Sequence, residues 1–506
     1  AYAGENISQI IAECGEEVIL NAYDNNLTAE QNITNGVSDP AIFTTGTYPG
    51  TQVAGVWSAS LISGCGGNYS FSDIGSPRSK FTAEPGTYEL TWTIPSVGCS
   101  DTILVTIESC PTIDFDGVND YVTFEDNYNL SNQFSIEIWV KPEVLSGTQT
   151  VFSKRNANDL STGFDLRLVG NTIQFRWNAS EMIQSLYPKT TNRWYHIAVT
   201  NTNGTYRLYV DGIEVSNPVA GSSPLGNSMR SALGAMDQTG GPNIRPTSYF
   251  NGWIDELRIW NKAITISQIR QMMNQEINNN TAIRGAIVPL DIVGLVWSDL
   301  DGYYRMNVNC GYLVPEAGSA RGQLRNMNSS QQETAPLPYT SRVDGQDWST
   351  DDTWTNFNVW DAPNSIGIDG NTAIDWNIVQ SSHDINSGSK DITVLGLISD
   401  TANKKLKISD PSTTQDETNE GQFLRVTHYL KLDGDIDLFG ESQLLQDEGS
   451  ILDLSSSGKL ERDQQGSTNL YNYNYWSSPV STINTNSNNA PYSINSIVKD
   501  GTTSSS

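Results

Sequence analysis

The sequence predicts an all-β protein: two sandwiches followed by a stack of short strands. Three observations predict it. Gly, Asn, Ser, Thr and Asp alternate with β-forming residues, the usage of turn-rich all-β chains. Period-two runs of apolar and polar residues recur through the first half. Short aliphatic pairs recur later, many of them punctuated by Gly. At 506 residues the chain has room for three or four domains.

Residues 1–111 hold four of the five Cys and the runs EEVILNA, AGVWSASL, GTYELTWTIP and DTILVTIES, with turns at sandwich-like intervals. Alternation in Tyr88, Leu90 and Trp92 turns one strand face into a core, with Trp57 the packing partner on another strand. Residues 112–330 form a longer unit. FSIEIWVKP, GFDLRLVG, TIQFRWN, WYHIAVT and YRLYVDG all show period two and lead into NGWIDELRIWNKAI. ISQIRQMMNQEI follows with Ile266, Ile269, Met272 and Met273 at helical spacing, and NQEINNNT stops it. The extension beyond it carries DGYYRMN and GQLRNM. Residues 331–468 open on the linker-like TAPLPYTSR and then carry the pairs Val394–Leu395, Leu406/Ile408, Leu430/Leu432, Ile436/Leu438, Leu444–Leu445 and Leu452/Leu454. Such pairs suit a solenoid in which each turn buries its apolar side against the next. Residues 469–506 read as the start of a further unit, with Tyr471, Tyr473 and Tyr475 lining one face. Starting at Ala1 and stopping in KDGTTSSS, the sequence reads as an excised piece of something longer.

Charge and composition exclude whole classes of function. With 29 Lys+Arg against 57 Asp+Glu, a net −28, the chain does not suit a row of phosphates, so nucleic acid is excluded as a partner. Aromatics at 9% argue against disorder. No apolar run approaches the ~18 residues of a membrane span, and AYAGENISQI is no signal peptide.

DFDGVNDYVTF, FSIEIWVKP, RWYHIAVT, YRLYVDG and IDELRIWNKAIT occur in that order over the second unit, which thereby resembles LamG-like jelly-roll domains of the concanavalin A-like class. GLVWSDLDGYYRMN and GQLRNM resemble the tail appended to that family. The first unit, with AGENISQIIAECGEEVILNA, a central Trp and PGTYELTWTIPSVGCSDTILVTI, resembles the Ig/PKD-like modules of giant Bacteroidetes surface proteins. The segment from WSTDDTW to YNYNYWSSPVS is similar to stretches of secreted proteins of the same phylum, and the resemblance implies export by the type IX secretion system. The resemblance to the Ig/PKD-like modules also implies that Cys14 pairs with Cys99, which leaves Cys65 with Cys110 and Cys310 outside the pairs. The residues alone allow three connectivities among four Cys.

The clearest candidate site is the acidic loop Asp114, Asp116, Gly117, Asp120. Alternate carboxylates around a turn glycine suit a hard cation such as Ca²⁺, although no bidentate Glu closes the loop as in an EF-hand. In LamG-like domains a later acid contributes, and Asp255 in IDELRIW is the position the resemblance implies. DLDG at 299–302 and LDGDIDL at 432–438 read as turns.

Catalysis finds little support. Hydrolysis of a glycoside needs two facing carboxyls. Glu137 stands alone by alternation, and Asp255 and Glu256 point to opposite faces. Asp433, Asp435 and Asp437 share one strand face and are the best acidic cluster of the repeat region. His196 reads as an ordinary strand position, and His383 and His428 have no Cys or Ser motif nearby. No C-x-x-C pair suggests zinc. Trp177, Trp253 and Trp260 in β-runs read as core, with sugar stacking the alternative. Asp101-Thr102-Ile103 and Asp400-Thr401-Ala402 match the O-glycosylation pattern of Bacteroidetes. Together these readings lead to an expectation: a non-enzymatic, secreted, surface-displayed adhesin-like protein. Its jelly roll binds a glycan or surface ligand, structural Ca²⁺ orders one edge, and type IX machinery exports it in the service of attachment or gliding. The competing expectations are the accessory region of a polysaccharide-degrading enzyme and a spacer without a ligand.

Overall fold

The computed structural model describes residues 3, 7–8, 14, 17–22, 54–96, 98–238, 246–355, 361–410 and 421–463. The segment 469–506, with Tyr471, Tyr473 and Tyr475, lies outside the described residues.

In the first unit, strands Val56–Gly64, Gly86–Ile94 and Cys99–Ile107 pair antiparallel, and Ile7–Ser8 joins the last of them in parallel. Val18–Ile19, Lys80–Ala83 and Tyr69–Phe71 make a second, three-stranded sheet. The alternation predicted for Tyr88, Leu90 and Trp92 is present: all three are buried. Trp57 lies opposite Trp92 in register, with ring centroids 5.1 Å apart. The Tyr88 hydroxyl donates to the Glu84 carbonyl at 2.8 Å, and burial followed by the charge of Glu84 pushes its pKa up to about 12.

The disulfides differ from the expected pairs. Cys14 bonds Cys110 (Cα–Cα 5.1 Å), not Cys99, and Cys65 bonds Cys310 (Cα–Cα 5.8 Å), not Cys110. Both separations are ordinary for disulfides. The reason is where the chain places each thiol. Cys99 opens an exposed hairpin end opposite Ile94, whereas the Cys14 carbonyl accepts from the Asn326 amide at 2.8 Å, at the seam with the second unit. The hairpin carrying Cys310 approaches so closely that a Cβ on Gly311 would stand 3.2 Å from Pro85 and 3.4 Å from the Cys110 amide. Gly311, at φ +74°, permits that approach and keeps the turn unstrained.

The second unit is a sandwich. One sheet runs Ile213–Glu214, Thr205–Val210, Tyr195–Thr202, Gln133–Pro142, Asn251–Trp260, Leu300–Tyr304. The other begins Glu181–Ser185, Thr172–Trp177, Asp159–Val169, Thr148–Asn156 and reaches Tyr121–Thr123 and Gly322–Arg325. The extension therefore supplies one strand to the first sheet and three, Val308–Asn309, Tyr312–Leu313 and Gly322–Arg325, to the second. Inward residues of the two sheets, among them Phe134, Ile136, Ile138, Leu166, Phe175 and Leu208, share one core. The predicted helix is present but shorter, Ile266–Met272, with Ile269 and Met272 buried. Thr265 caps it: its hydroxyl accepts from the Gln268 amide at 3.3 Å while the Gln268 side chain accepts from the Thr265 amide at 2.8 Å.

From Tyr339 to Arg462 the strands pair in parallel and fall alternately into two sheets. Aliphatic residues stack in line along each, Ile385 on Leu406 on Ile436 on Leu460 in one, and Ile392 on Leu424 on Leu444 in the other. This region shares a core with the sandwich, since Trp139, Trp194, Ile213 and Met273 pack among Trp348, Trp354 and Trp376. Arg193 spans the junction, 2.8 Å from Asp211 and 2.7 Å from Asp361. The Arg270 guanidinium lies 3.7 Å over the Trp376 ring, and Asn377 donates to the Asn274 side chain at 3.1 Å. A cavity of only about 30 Å³ remains there, room for a water and no ligand.

Candidate functional site

The acidic loop lies on the short strand Phe115–Asp116, which pairs with the start of Asn251–Trp260. Asp116 organises the turn: its Oδ1 accepts from the amides of Val118 (2.7 Å) and Asn119 (3.3 Å). Asp120 Oδ2 accepts from the Asp116 amide at 3.0 Å, and the Asn251 side chain donates to the Asp116 carbonyl at 2.8 Å. Asp114 accepts from the Ser329 hydroxyl at 2.7 Å. Gly117 sits at φ +77°, and a Cβ there would meet Asn251 at 2.7 Å. Two buried oxygens, Asp120 Oδ1 of the loop and Asn251 Oδ1 of the strand paired with it, find no hydrogen-bond partner among the described residues. Burial, and after it the charges of Asp116 and Asp114, push the Asp120 carboxyl up to about 7.

Asp255 does not reach this loop's backbone. Its two oxygens accept from the amides of Glu256 (2.9 Å) and Ala335 (3.0 Å), and burial together with Glu256 pushes it up to about 8. The residue of that strand that meets the loop is Asn251, four positions earlier, where the strand registers with Asp116. Among the described residues no group of three or more His, Cys, Asp or Glu side chains is gathered tightly enough to hold a metal by itself.

The other acidic candidates have internal partners. Glu137 is not alone. A β-bulge between Glu137 and Trp139 places Trp139 opposite Asp255 and Glu137 opposite Arg258, and Glu256 adopts φ 49°. The alternation is thereby shifted, and Arg258 bonds both Glu256 and Glu137 (3.3 Å to the latter). Arg258 also donates to the Met272 and Gln275 carbonyls, and Trp260 to Glu137, which closes the cluster beneath the helix. Burial pushes both glutamates above the usual carboxylate range. His196 stands edge-on to Trp139, and burial, then Arg258, lowers it to about 3, so it is neutral. Asp433 and Asp435 accept from the Ser457 and Lys459 amides of the next turn, and Asp437 stands among Lys405, Lys407 and Glu461. His383 Nδ1 lies 2.9 Å from the Ser341 hydroxyl, a pair that parallel stacking creates from residues far apart in sequence. His428 Nδ1 lies 2.8 Å from the hydroxyl of its own neighbour Thr427. Trp177 and Trp260 are core residues, Trp177 stacked on Tyr206, and the Trp253 ring is covered by the Lys141 ammonium at 3.3 Å. Asp101 Oδ2 accepts from the Ala3 amide at 2.8 Å, and Asp400 from Gln380.

Sequence reasoning passed over the outer face of the second sheet. Because Phe164, Leu166, Ile173 and Phe175 point inward, the alternate residues stand outward. Two rows cross the strands: Thr150, Arg167, Gln174, Gln184 and Ser153, Asp165, Arg176, Met182. Asp165 anchors them, 2.7 Å from Arg155, 3.0 Å from Arg176 and 3.6 Å from Arg167. Arg167 donates Nε and Nη2 to Gln174 Oε1 (2.9 and 2.6 Å), and Gln174 donates to Gln184 at 2.9 Å. Asp165 and Arg155 are buried, while the Arg167 and Arg176 side chains each remain 18% exposed. The available signal was polar residues at every second position of two successive strands, Asp165 and Arg167 on one and Gln174 and Arg176 on the next, continued by Gln184 on a third.

Residues 116–270 match the Laminin_G_3 family, described as the concanavalin A-like lectin/glucanases superfamily. Among solved structures, the chain is similar to a candidate carbohydrate-binding protein of Bacteroides ovatus, at 13% identity and TM-score 0.30, covering 64% of this chain and 95% of that one. It is also similar to the heptameric SAP-like pentraxin of Limulus polyphemus (17% identity, TM-score 0.27, 31% and 79% covered). A third is the CBM40 of the Ruminococcus gnavus IT-sialidase with α2,3-sialyllactose (11% identity, TM-score 0.26, 32% and 96% covered).

Proposed function

Taking the concanavalin A-like domain at 116–270 as premise, we propose that the protein binds glycans through this sandwich and does so as an adhesin-like protein on a bacterial surface. The observation that carries the reading is the outer sheet face, where Arg167, Arg176, Gln174 and Gln184 stand partly exposed on three neighbouring strands, held from beneath by the buried Asp165. Such an array offers fixed hydrogen-bond donors and acceptors at strand spacing, which suits the hydroxyls of a saccharide. The acids that could have supported hydrolysis are tied to Arg258 or to backbone amides, which favours binding over catalysis.

The first unit serves as an Ig-like spacer in this reading. Its two sheets and the Tyr88-to-Glu84 bond, like the tyrosine corner of Greek-key sandwiches, support that part. The parallel stack after Tyr339 serves as a β-helix-like support. Ca²⁺ at the Asp116–Asp120 loop belongs to the same reading. Asp120 Oδ1 and Asn251 Oδ1 are buried oxygens in want of a partner, and hard oxygen donors suit this ion. Bound there, the ion would fix the edge of the sandwich through Asp120 and Asn251, with Asp116 holding the turn. Export through the type IX system, and a role in attachment or gliding, rest on the resemblance of the flanking segments.

A glycan array, read with and without a calcium chelator, tests the proposal. Binding that chelation weakens is expected. Binding to no glycan would leave a spacer, and release of product from a polysaccharide would replace binding with hydrolysis.

A further inference from the structure

We propose that the saccharide taken by this face is anionic, its carboxylate or sulfate held by Arg167 and Arg176. The inference rests on the glycan-binding reading above and names the ligand class.

The first ground is a local reversal of charge. In a chain of net −28, three guanidiniums (Arg155, Arg167, Arg176) gather on a single carboxylate, Asp165. Asp165 neutralises one guanidinium and the exposed Asp159 lies within the field of the buried Arg155, so an excess of one positive charge remains with Arg167 and Arg176 on a surface otherwise poor in base. Burial first, and then the neighbouring Arg176 and Arg155, lower the pKa of Arg167 against the pull of Asp165.

The second ground is geometry. Asp165 is fully buried and holds Arg176 by Nε (3.1 Å) and Nη2 (3.0 Å), while Gln174 holds Arg167 by the same two nitrogens. Both guanidiniums are therefore fixed in orientation before a ligand arrives, and neither Nη1 takes a hydrogen-bond partner among the described residues. Fixed guanidiniums suit the planar, bidentate recognition of an oxyanion better than a mobile lysine does. Gln174 and Gln184 continue the row with amide groups for ring hydroxyls. Thr150 and Ser153 on Thr148–Asn156 are buried, so the accessible rows run from Asp159–Val169 to Glu181–Ser185, two strand spacings of ~4.8 Å or about 10 Å, enough for a disaccharide unit lying across the strands.

The third ground is what a chance polyanion would meet. A strongly acidic protein repels polyanions in general, so binding one requires a specific site.

The test is affinity electrophoresis or calorimetry of the whole chain against polygalacturonate, dextran sulfate, neutral dextran and neutral galactan, at low and raised NaCl. Binding to a charged polymer and not to its neutral counterpart is expected, weakening as salt rises. The two charged arms separate carboxylate from sulfate recognition. R167Q removes the charge while keeping an amide in the row, and about a tenfold or greater loss of affinity is expected, with melting unchanged. Q184A should weaken binding less. Equal binding to neutral and charged polymers would overturn the anionic assignment while leaving glycan binding intact. Unaltered affinity in R167Q would overturn the site. Binding to none of the four polymers, and to nothing on a glycan array, would remove the glycan reading itself.

Discussion

Asp120 holds an ionisable carboxyl in a place where its charge is costly. Burial leads the rise of its pKa to about 7, and Asp116 and Asp114 add to it. A folded-state pKa above the unfolded one means that the folded protein binds the extra proton. Its contribution to stability is full below the unfolded value near 4, and is lost as pH rises through about 7. In chelator, wild-type melting should therefore fall between pH 5 and pH 8, and Asp120→Asn should lessen that fall, leaving the share that Asp255, raised to about 8, contributes. In calcium, wild type at pH 8 should regain stability, because a cation favours the ionised form, and the variant should not. Differential scanning fluorimetry at the four conditions decides it; equal calcium gains in both proteins would remove the loop as a cation site. The sequence made this loop legible, since its acids are local. Its partner was not legible as Asp255. Strand register, set by a pairing over 130 residues away, presents Asn251 instead. Glu137 was misplaced for a related reason: one bulge shifts every later side chain to the other face. Arg258→Ala would strand Glu137 and Glu256 without their cation, and a loss of roughly 3–5 kcal/mol in urea denaturation is expected.

At the scale of elements, alternation and capping were the readable signals. Tyr88, Leu90 and Trp92 turn inward as their spacing predicts. The helix stops early at Met272, where Arg258 takes the carbonyl of Met272 and, beyond the helix end, that of Gln275. Thr265→Ala, by removing the cap, is expected to cost about 1 kcal/mol. The disulfides were not readable, because four thiols in one segment suggest a closed set, whereas Cys310 folds back from 245 residues away to Cys65. Peptide mapping under non-reducing conditions should recover Cys14 linked to Cys110 and Cys65 linked to Cys310. Cys310→Ser should destabilise the chain by about 5 kcal/mol on the chain-entropy account. A Cys14–Cys99 peptide in the map would contradict this arrangement.

Across the whole molecule, segment textures separated the sandwich from the parallel stack, yet the two share a core. Trp139 and Trp194 lie in or beside sandwich strands whose sequences give no hint that their rings pack against another unit. That shared core means that neither part can unfold without exposing apolar surface of the other, so sandwich and stack should melt in one transition. Arg193 holds the seam because its guanidinium divides between Asp211 of the sandwich and Asp361 of the stack, and the two carboxylates raise its pKa against burial. Asp211 is buried, so Arg193→Ala leaves a carboxylate without its cation and opens the junction. Calorimetry of the variant should show a lower melting temperature and a split or broadened transition, the stack melting apart from the sandwich. Arg342→Ala, which breaks an exposed pair with Asp352 at 3.3 Å, should leave melting within about 0.5 kcal/mol of wild type and serves as the control. An unsplit transition at the wild-type temperature in the Arg193 variant would mean that the tryptophans alone couple the two parts. Substituting Trp376, whose ring carries Arg270 at 3.7 Å, would then be the change that separates them.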